Sequence, residues 1–213
     1  GTALAMTGAV ANTDSFYIIF LGKALQTTVT PDGSVSTAKI ADDAVTNAKV
    51  ADNAGIAGSK LGTGAVLQVK NFQTGAVDTG TTTIPLDDTI PQNDEGDEFM
   101  TLAITPKHAS NKLKIEVVCM LSQSNSLTYI IAALFQDTTA SALAAGFSSK
   151  SRSSSDESGV LFTHYMAAGT TSETTFKVRA GAASGTTTFN GHTTARTLGG
   201  VVASSITITE YSV

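Results

Sequence analysis

The segment KLKIEVVCML, residues 112–121, decides the fold class because every second residue is apolar, opposite a face that begins with Lys112, Lys114 and Glu116. The apolar face comprises Leu113, Ile115, Val117, Cys119 and Leu121. A period of two residues is typical of a strand that packs one face against a core. The segment therefore predicts a strand of a β-sandwich. Cys119 is expected to be an inert core thiol and not a nucleophile.

Similar segments recur on both sides of this strand. They are AVLQVKNF (65–72), EFMTLAITP (98–106), LTYIIAALF (127–135), VLFTHYMAA (160–168), ETTFKVRAG (173–181), GTTTFNG (185–191) and SSITITEY (204–211). GTTTIPLDD (80–88) adds a short edge strand, in which Pro85 is tolerated, and TASALAAGF (139–147) predicts one short helix. The pattern predicts an all-β head domain over residues 63–213, a β-sandwich of jelly-roll type.

The composition agrees with an all-β chain. Threonine and serine make up about a quarter of the 213 residues, and only 15% of residues are charged. Threonine favours half-buried strands, and serine and glycine favour turns. The net charge of −5 argues against a general affinity for nucleic acid or anionic membranes. No apolar run approaches the roughly 20 residues of a membrane span, so no membrane insertion is expected.

DGSVSTAKIADDAVTNAKVADNAGIAGSKLG, residues 32–62, repeats roughly every ten residues, with Lys39, Lys49 and Lys60 equivalent. Large apolar residues recur every five or six positions: Val35, Ile40, Val45, Val50, Ile56, Leu61 and Val66. This spacing fits neither a strand nor a helix throughout. We predict a mixed unit in which Ser36 or Thr46 caps one helical turn that continues as extended chain.

A continuous helix is the alternative, since small residues also recur at three- and four-residue spacing, at Ala41, Ala44, Ala48 and Ala51. In either case two large apolar groups per unit cannot offset the cost of ordering ten residues. Parallel copies of the chain would bury them together, which predicts a thin multi-chain shaft over residues 31–62. A flexible linker is the competing interpretation. Residues 1–30 predict a β-hairpin module around the turn at Ala11–Asp14.

No segment has a recognisable catalytic or metal-binding pattern. His108, His164 and His192 are far apart in sequence and lack the spacing of paired metal ligands. The acidic stretch DDTIPQNDEGDEF (87–99) does not match a calcium loop; it predicts a solvated loop that keeps an edge strand from pairing, with calcium binding as the weaker alternative. Nucleophile elbows, phosphate loops and Cys-x2-Cys pairs are absent, so neither enzyme activity nor a cofactor is expected.

One polar stretch is a candidate contact surface. GFSSKSRSSSDESG, residues 146–159, predicts a long exposed loop between strands. Loops at the end of a sandwich are where binding surfaces are commonly built. Within it, Lys150 and Arg152 stand beside Asp156 and Glu157, a mixed-charge group that could contact a carbohydrate or a protein.

Three segments resemble fibre, spike and related virion proteins of tailed bacteriophages, especially marine and cyanobacterial phages. NTDSFYIIFLGKALQT resembles the end of a small β-module of such fibres, and DGSVSTAKIADDAVTNAKVADNA resembles their ten-residue shaft repeats. IPLDDTIPQNDEGDEFMTLAITPKHASNKLKIEVV, with SSITITEY, resembles their C-terminal jelly-roll domain. The resemblance implies a parallel homotrimer on the virion exterior, whose distal domain contacts a host receptor or a neighbouring virion protein.

The leading hypothesis is thus a non-enzymatic tail fibre or spike that attaches to a host-surface glycan or protein. A capsid decoration protein or head fibre is the main alternative, because it would use the same trimeric β-domain on a stalk. A polysaccharide depolymerase would resemble a longer parallel β-helix with paired acidic residues. A secreted trimer similar to C1q or TNF would normally carry a signal segment or a collagen-like stalk.

Overall fold

The structure, a computed structural model, describes residues 11–13, 33–42, 44–51, 54–56, 60–148 and 156–213. The chain separates into two units, Gly1–Ala54 and Gly55–Val213. The hairpin predicted for residues 1–30 lies outside the described residues, apart from an exposed turn within 11–13. Among the described residues, no helix has the length and apolarity needed to cross a bilayer.

The ten-residue repeat is present as a repeated local structure. Single 3-10 turns occupy Thr37–Lys39 and Asn47–Lys49. The backbone carbonyls of Ser36 and Thr46 accept the closing hydrogen bonds from Lys39 and Lys49, at 2.9 and 2.8 Å. Each predicted helical turn is therefore confirmed, in 3-10 form, and the continuous helix is not formed by the described residues.

The lysine side chains repeat in the same way. Lys39 Nζ donates to the carbonyl of Ser34 at 2.6 Å, and Lys49 Nζ donates to that of Ala44 at 3.0 Å. Both lysines thus satisfy the backbone carbonyl of the residue five positions earlier. The large apolar side chains find no comparable partner within the unit, since Val35, Ile40 and Val45 are all exposed.

The described part of the second unit contains twelve strands and the 3-10 turn Leu198–Gly200. The strands are β1 (Val66–Thr74), β2 (Asp78–Gly80), β3 (Asp97–Ile104), β4 (Lys112–Gln123), β5 (Ile130–Gln136), β6 (Ala144–Phe147), β7 (Glu157–Ala167), β8 (Thr174–Ala182), β9 (Thr187–Phe189), β10 (Gly191–His192), β11 (Ala195–Arg196) and β12 (Ser204–Tyr211).

Two antiparallel sheets contain the main strands. In the first, β12 lies between β1 and β4, and β7 pairs with the other edge of β4. The short strand β9 continues along β4 beyond the end of β12, and β2 pairs with β9. The second sheet has the order β3-β8-β5-β6. The small hairpin of β10 and β11 is separate.

The pairing is nested along the chain. β5 pairs with β6, β4 with β7, β3 with β8, and β1 with β12, all antiparallel. A single long hairpin wound into two facing sheets produces this order, and it is the topology of a jelly roll. The predicted jelly-roll sandwich is therefore confirmed, with β4 near the middle of its first sheet.

The core lies between the sheets, where alternation in sequence becomes alternation in burial. The predicted inward face of β4 is buried along its whole length, with Cys119 fully inaccessible. Phe176 and Val178 of β8 and Ile206 and Ile208 of β12 belong to the same cluster. Because these residues project from both sheets, burying them holds the sandwich together.

The helix predicted at residues 139–147 is wrong. Ala144–Phe147 forms strand β6, and Ser141 makes an isolated bridge with Gln92. Alanine and leucine favour helix intrinsically, but here the backbone groups pair with β5, starting with Leu143 N–H to Leu134 O at 2.7 Å. Pairing in the sheet therefore overrides local propensity.

The edge strand predicted at residues 80–88 is also wrong, except for Gly80 at the end of β2. Residues 81–96, which we call the covering segment, instead pack on the second sheet. Ile84 is fully buried, and its N–H donates to Ala182 O at 3.3 Å. A Cβ on Gly181 would lie 2.7 Å from Thr82 O, so the segment touches β8 directly. This cover explains why β5 is buried on both faces, from Ile130 to Phe135.

Candidate attachment surface

The strand register defines two opposite ends of the sandwich. At the base, β1 begins and β12 ends, since Val66 pairs with Tyr211. At the tip, β1 ends and β12 begins, since Thr74 pairs with Ser204. The β4–β5 connection, the β6–β7 connection and the segment between β9 and β12 all leave strands at the tip.

The stretch predicted as a contact loop, residues 146–159, overlaps two strands whose described ends lie at the tip. Gly146 and Phe147 belong to β6, and Glu157 begins β7 opposite Ser122 of β4. Asp156 is half-buried and Glu157 is exposed. Lys150 and Arg152 lie outside the described residues, so the structure does not test the four-residue charge group.

The tip also carries exposed apolar side chains that the sequence analysis missed. Leu198 is 76% exposed and Val201 is 81% exposed, both in the segment between β9 and β12. Leu127, in the β4–β5 connection, is 63% exposed. The sequence signal was the apolar group around Gly199 and Gly200 within a polar stretch, since paired glycines mark a turn.

The two leucines, Leu127 and Leu198, have positive φ angles. The φ angles of Leu127 and Leu198 are 61° and 45°, in the left-handed region. Thr193 and Thr194, in the same tip segment as Leu198, have φ angles of 45° and 65°. Such conformations cost bulky residues of the order of 1–2 kcal/mol and persist where the surroundings impose them.

A buried polar network anchors the segment that displays Leu198. Asn190 is fully buried, and its Nδ2 donates to Thr74 O at 2.8 Å and to Ala76 O at 3.1 Å. Ser204 Oγ donates to Asn190 Oδ1 at 2.7 Å and accepts from Met120 N–H at 2.8 Å. These bonds tie the segment to β1, β4 and β12. Both ends of the segment that carries Leu198 are therefore held in place.

The base is built around a buried carboxylate. Glu210 is fully buried and accepts hydrogen bonds from Asn111 Nδ2, Gln68 Nε2 and the N–H groups of Lys107 and His108. Burial alone would raise the pKa of Glu210, but these four donors together outweigh it and hold the pKa below its usual value. Glu210 thus joins the β3–β4 connection to β1 and β12.

Two acidic side chains of the stretch 87–99 make local hydrogen bonds. Asp97 accepts from the N–H and hydroxyl of Thr82, both at 2.9 Å, and Glu95 accepts from Gln92 N–H at 2.9 Å. The predicted solvated acidic loop is therefore only partly correct, because these carboxylates help to fold the covering segment. Among the described residues, no group of three or more His, Cys, Asp or Glu is placed to hold a metal ion.

No protein-family model and no curated protein matches the chain. Among solved structures, it is similar to the VP2 subviral particle of infectious bursal disease virus, at 10% identity and a TM-score of 0.34, over 69% of this chain and 38% of that one. A second similarity is to the enzymatically active domain of tailspike protein 4 of bacteriophage CBA120, at 15% identity and a TM-score of 0.25, over 57% of this chain and 18% of that one. Thus the chain spans well under half of either protein. TM-scores this low carry no argument about fold or function.

Proposed function

We propose that the chain is a non-enzymatic structural protein of a virion, a homotrimeric phage tail fibre or spike whose jelly-roll domain attaches to a host receptor. One observation carries the proposal: a ten-residue repeat, folded the same way in successive units, leaves its large apolar side chains exposed. In the sequence, that repeat is followed by a domain of jelly-roll topology. The resemblance to phage fibres implies the same order, a shaft repeat followed by a C-terminal jelly roll.

The argument for several chains is energetic. In the two described turns the backbone closes the turn and the lysine donates to a backbone carbonyl five residues earlier, so these polar groups need little from neighbouring chains. Val35, Ile40 and Val45 remain in water, at a cost of about 25 cal/mol per Å2 of apolar surface. Parallel copies in register would bring equivalent side chains together and remove that cost.

The tip is the proposed attachment surface. It lies at the opposite end of the sandwich from the start of β1, and it combines the adjoining ends of β6 and β7 with exposed Leu127, Leu198 and Val201. Rigidly held apolar side chains contribute contact area without a large loss of conformational entropy on binding. The proposed partner is a glycan or protein on the host surface.

The oligomeric state tests the shaft proposal directly. Light scattering of the purified chain at micromolar concentration is expected to give three times the chain mass of 21.8 kDa. A monomer, with the repeat folded as described, would overturn the proposal.

Antibody labelling of intact particles tests the location. We expect label at the tail. Label on the head would overturn the tail assignment and would favour a capsid decoration protein or head fibre, which binds other virion proteins.

A further inference from the structure

We infer that strand β1 is a contact between copies of this chain, so that the jelly-roll domains pack around the trimer axis through their β1 edges. This inference rests on the proposed trimer. It goes further, because a trimeric shaft alone would leave open whether its head domains touch one another, and by which surface.

β1 is the exposed edge of the first sheet. Its described pairing is with β12 alone, which leaves one row of its backbone groups unpaired. Five successive residues, Val69 to Gln73, are exposed, whereas strands with one face on a core normally alternate. A nine-residue edge of this kind is a template for pairing with another chain.

The edge also carries apolar side chains. Val66, Val69 and Phe72 are all exposed, Val69 at 55%. They continue the series formed by Ile56 and Leu61, which are exposed just before β1. Edge strands are usually protected from pairing with other chains by bulges, charged residues or proline. β1 has little of this protection, since it has one bulge, between Val66 and Gln68, one lysine and no proline.

The start of β1 is fixed closely to the preceding residues. Ser212 Oγ donates to Gly62 O at 2.7 Å, Gly64 N–H donates to Ser212 O at 2.9 Å, and Ser212 N–H donates to Ala65 O at 2.9 Å. These bonds hold residue 62 close to the start of β1. Three chains that leave a thin parallel shaft at residue 62 must therefore begin their β1 strands close together.

The base offers space for a neighbouring copy. Leu61, Val66, Leu67 and Val213 line an open groove of about 650 Å3, together with polar residues of the β3–β4 connection. Apolar side chains of an adjacent copy, leaving the shaft at the same height, would fill it. The other edge of the same sheet, β7, lies three strand spacings away, about 14 Å at roughly 4.8 Å each. It therefore provides an internal comparison.

Single cysteines placed across the sheet test the inference. Asn71 on β1 and Thr163 on β7 are exposed and lie in one row, through the pairs Asn71–Thr207, Thr207–Glu116 and Glu116–Thr163. In the variants Asn71→Cys and Thr163→Cys, the native Cys119 should stay silent because it is buried and its pKa is raised to about 12. We expect a short bismaleimide to cross-link subunits at position 71 and not at position 163.

Nitroxide labels at the same two cysteines give a readout that does not depend on cross-linker reach. Pulsed EPR of the trimer is expected to show a shorter intersubunit distance at position 71 than at position 163. A trimer with equal distances, or with the shorter one at 163, would overturn the β1 contact and leave the trimer intact. A monomer by light scattering of the same samples would overturn both proposals.

Discussion

At the scale of single residues, Glu210 shows how a local pattern conceals a structural role. In SSITITEY, Glu210 shares the alternating face of Ile206 and Ile208, but the sequence analysis assigned it no role. Alternation could not predict the hydrogen-bond donors that stabilise the buried carboxylate of Glu210. Two of them, Gln68 and Asn111, come from distant parts of the chain. Cys119 was easier to predict, since an apolar face explains it fully.

Glu210→Gln is expected to destabilise the second unit by about 1–3 kcal/mol at pH 7, because the amide directs an NH2 group at donors that now face a carboxylate. Urea denaturation measures the change. The control is Glu116→Gln, a partly exposed member of an ion pair with Lys114, which should cost no more than about 1 kcal/mol. Equal losses in both variants would contradict the assigned role.

The same residue sets a pH dependence. The pKa of Glu210 is lowered in the folded state, so its contribution to stability is complete above the unfolded value of about 4.3 and is lost as pH falls through that value towards the folded one. The difference in stability between the native chain and Glu210→Gln should therefore shrink below about pH 4. A difference that stays constant from pH 7 to pH 3 would argue against this.

Cys119 is expected to be unreactive towards Ellman's reagent at pH 8 in the folded protein and fully reactive in denaturant. Burial removes access and raises the pKa of its thiol to about 12, so almost no thiolate forms. Thr163→Cys, exposed on β7, supplies the reactive control. Rapid labelling of native Cys119 would show that the core opens readily.

Leu198→Asp is expected to lower adsorption of the fluorescently labelled protein to susceptible cells at least tenfold, if the tip is the attachment surface. Stability should stay within about 0.5 kcal/mol, because the side chain is exposed and aspartate tolerates a left-handed backbone better than leucine. Ile90→Asp, at another exposed apolar site on the covering segment, is the control. Unchanged adsorption by Leu198→Asp would remove Leu198 from that surface.

At the scale of elements, the main strands were predictable and the segments that cover them were not. Strands such as β4 and β12 are recognisable in the sequence by alternation, and their bounds are close to those predicted. β6 and the covering segment are determined by what they pack against. Gly146 lies against Phe162, and Ile84 lies against Gly181, pairings that join residues far apart in sequence.

Gly181→Ala tests the packing of the covering segment. Its Cβ would lie 2.7 Å from Thr82 O and 2.9 Å from Ile84 N, both backbone atoms that move only with the segment. We expect a loss of about 1–3 kcal/mol in the free energy of unfolding. Gly55→Ala, whose Cβ would meet no atom within 4 Å, is the matched control and should be nearly neutral. Equal stability of both variants would mean that the segment does not press on β8.

At the scale of the whole molecule, assembly is where a single sequence says least. The repeat spacing predicted a need for neighbours, yet the number of chains and their orientation came only from resemblance. The turn in each unit was predictable because it depends on residues within that unit, from Ser36 to Lys39. In the proposed trimer, the partner of an exposed valine such as Val45 would belong to another molecule, and no local sequence rule specifies it.

The double variant Ile40→Ser and Val45→Ser is expected to weaken the trimer, because burying such a side chain fully stabilises by about 1.5–3 kcal/mol and three copies lose it together. Light scattering on dilution measures dissociation. Ala38→Ser with Ala48→Ser changes exposed small residues of the same repeat and is the control. Dissociation at the same concentration in both variants would place Ile40 and Val45 outside the interface.

The nested strand order has a practical consequence. Because β1 begins and β12 ends at the base, each connection at the tip is a loop between two strands that are held in the sheets. Lengthening such a loop costs only the entropy of loop closure, which grows slowly with loop length. New sequences could be grafted between Asn190 and Ser204 while the sandwich beneath kept its shape, so the proposed binding surface could be changed without redesigning the rest of the domain.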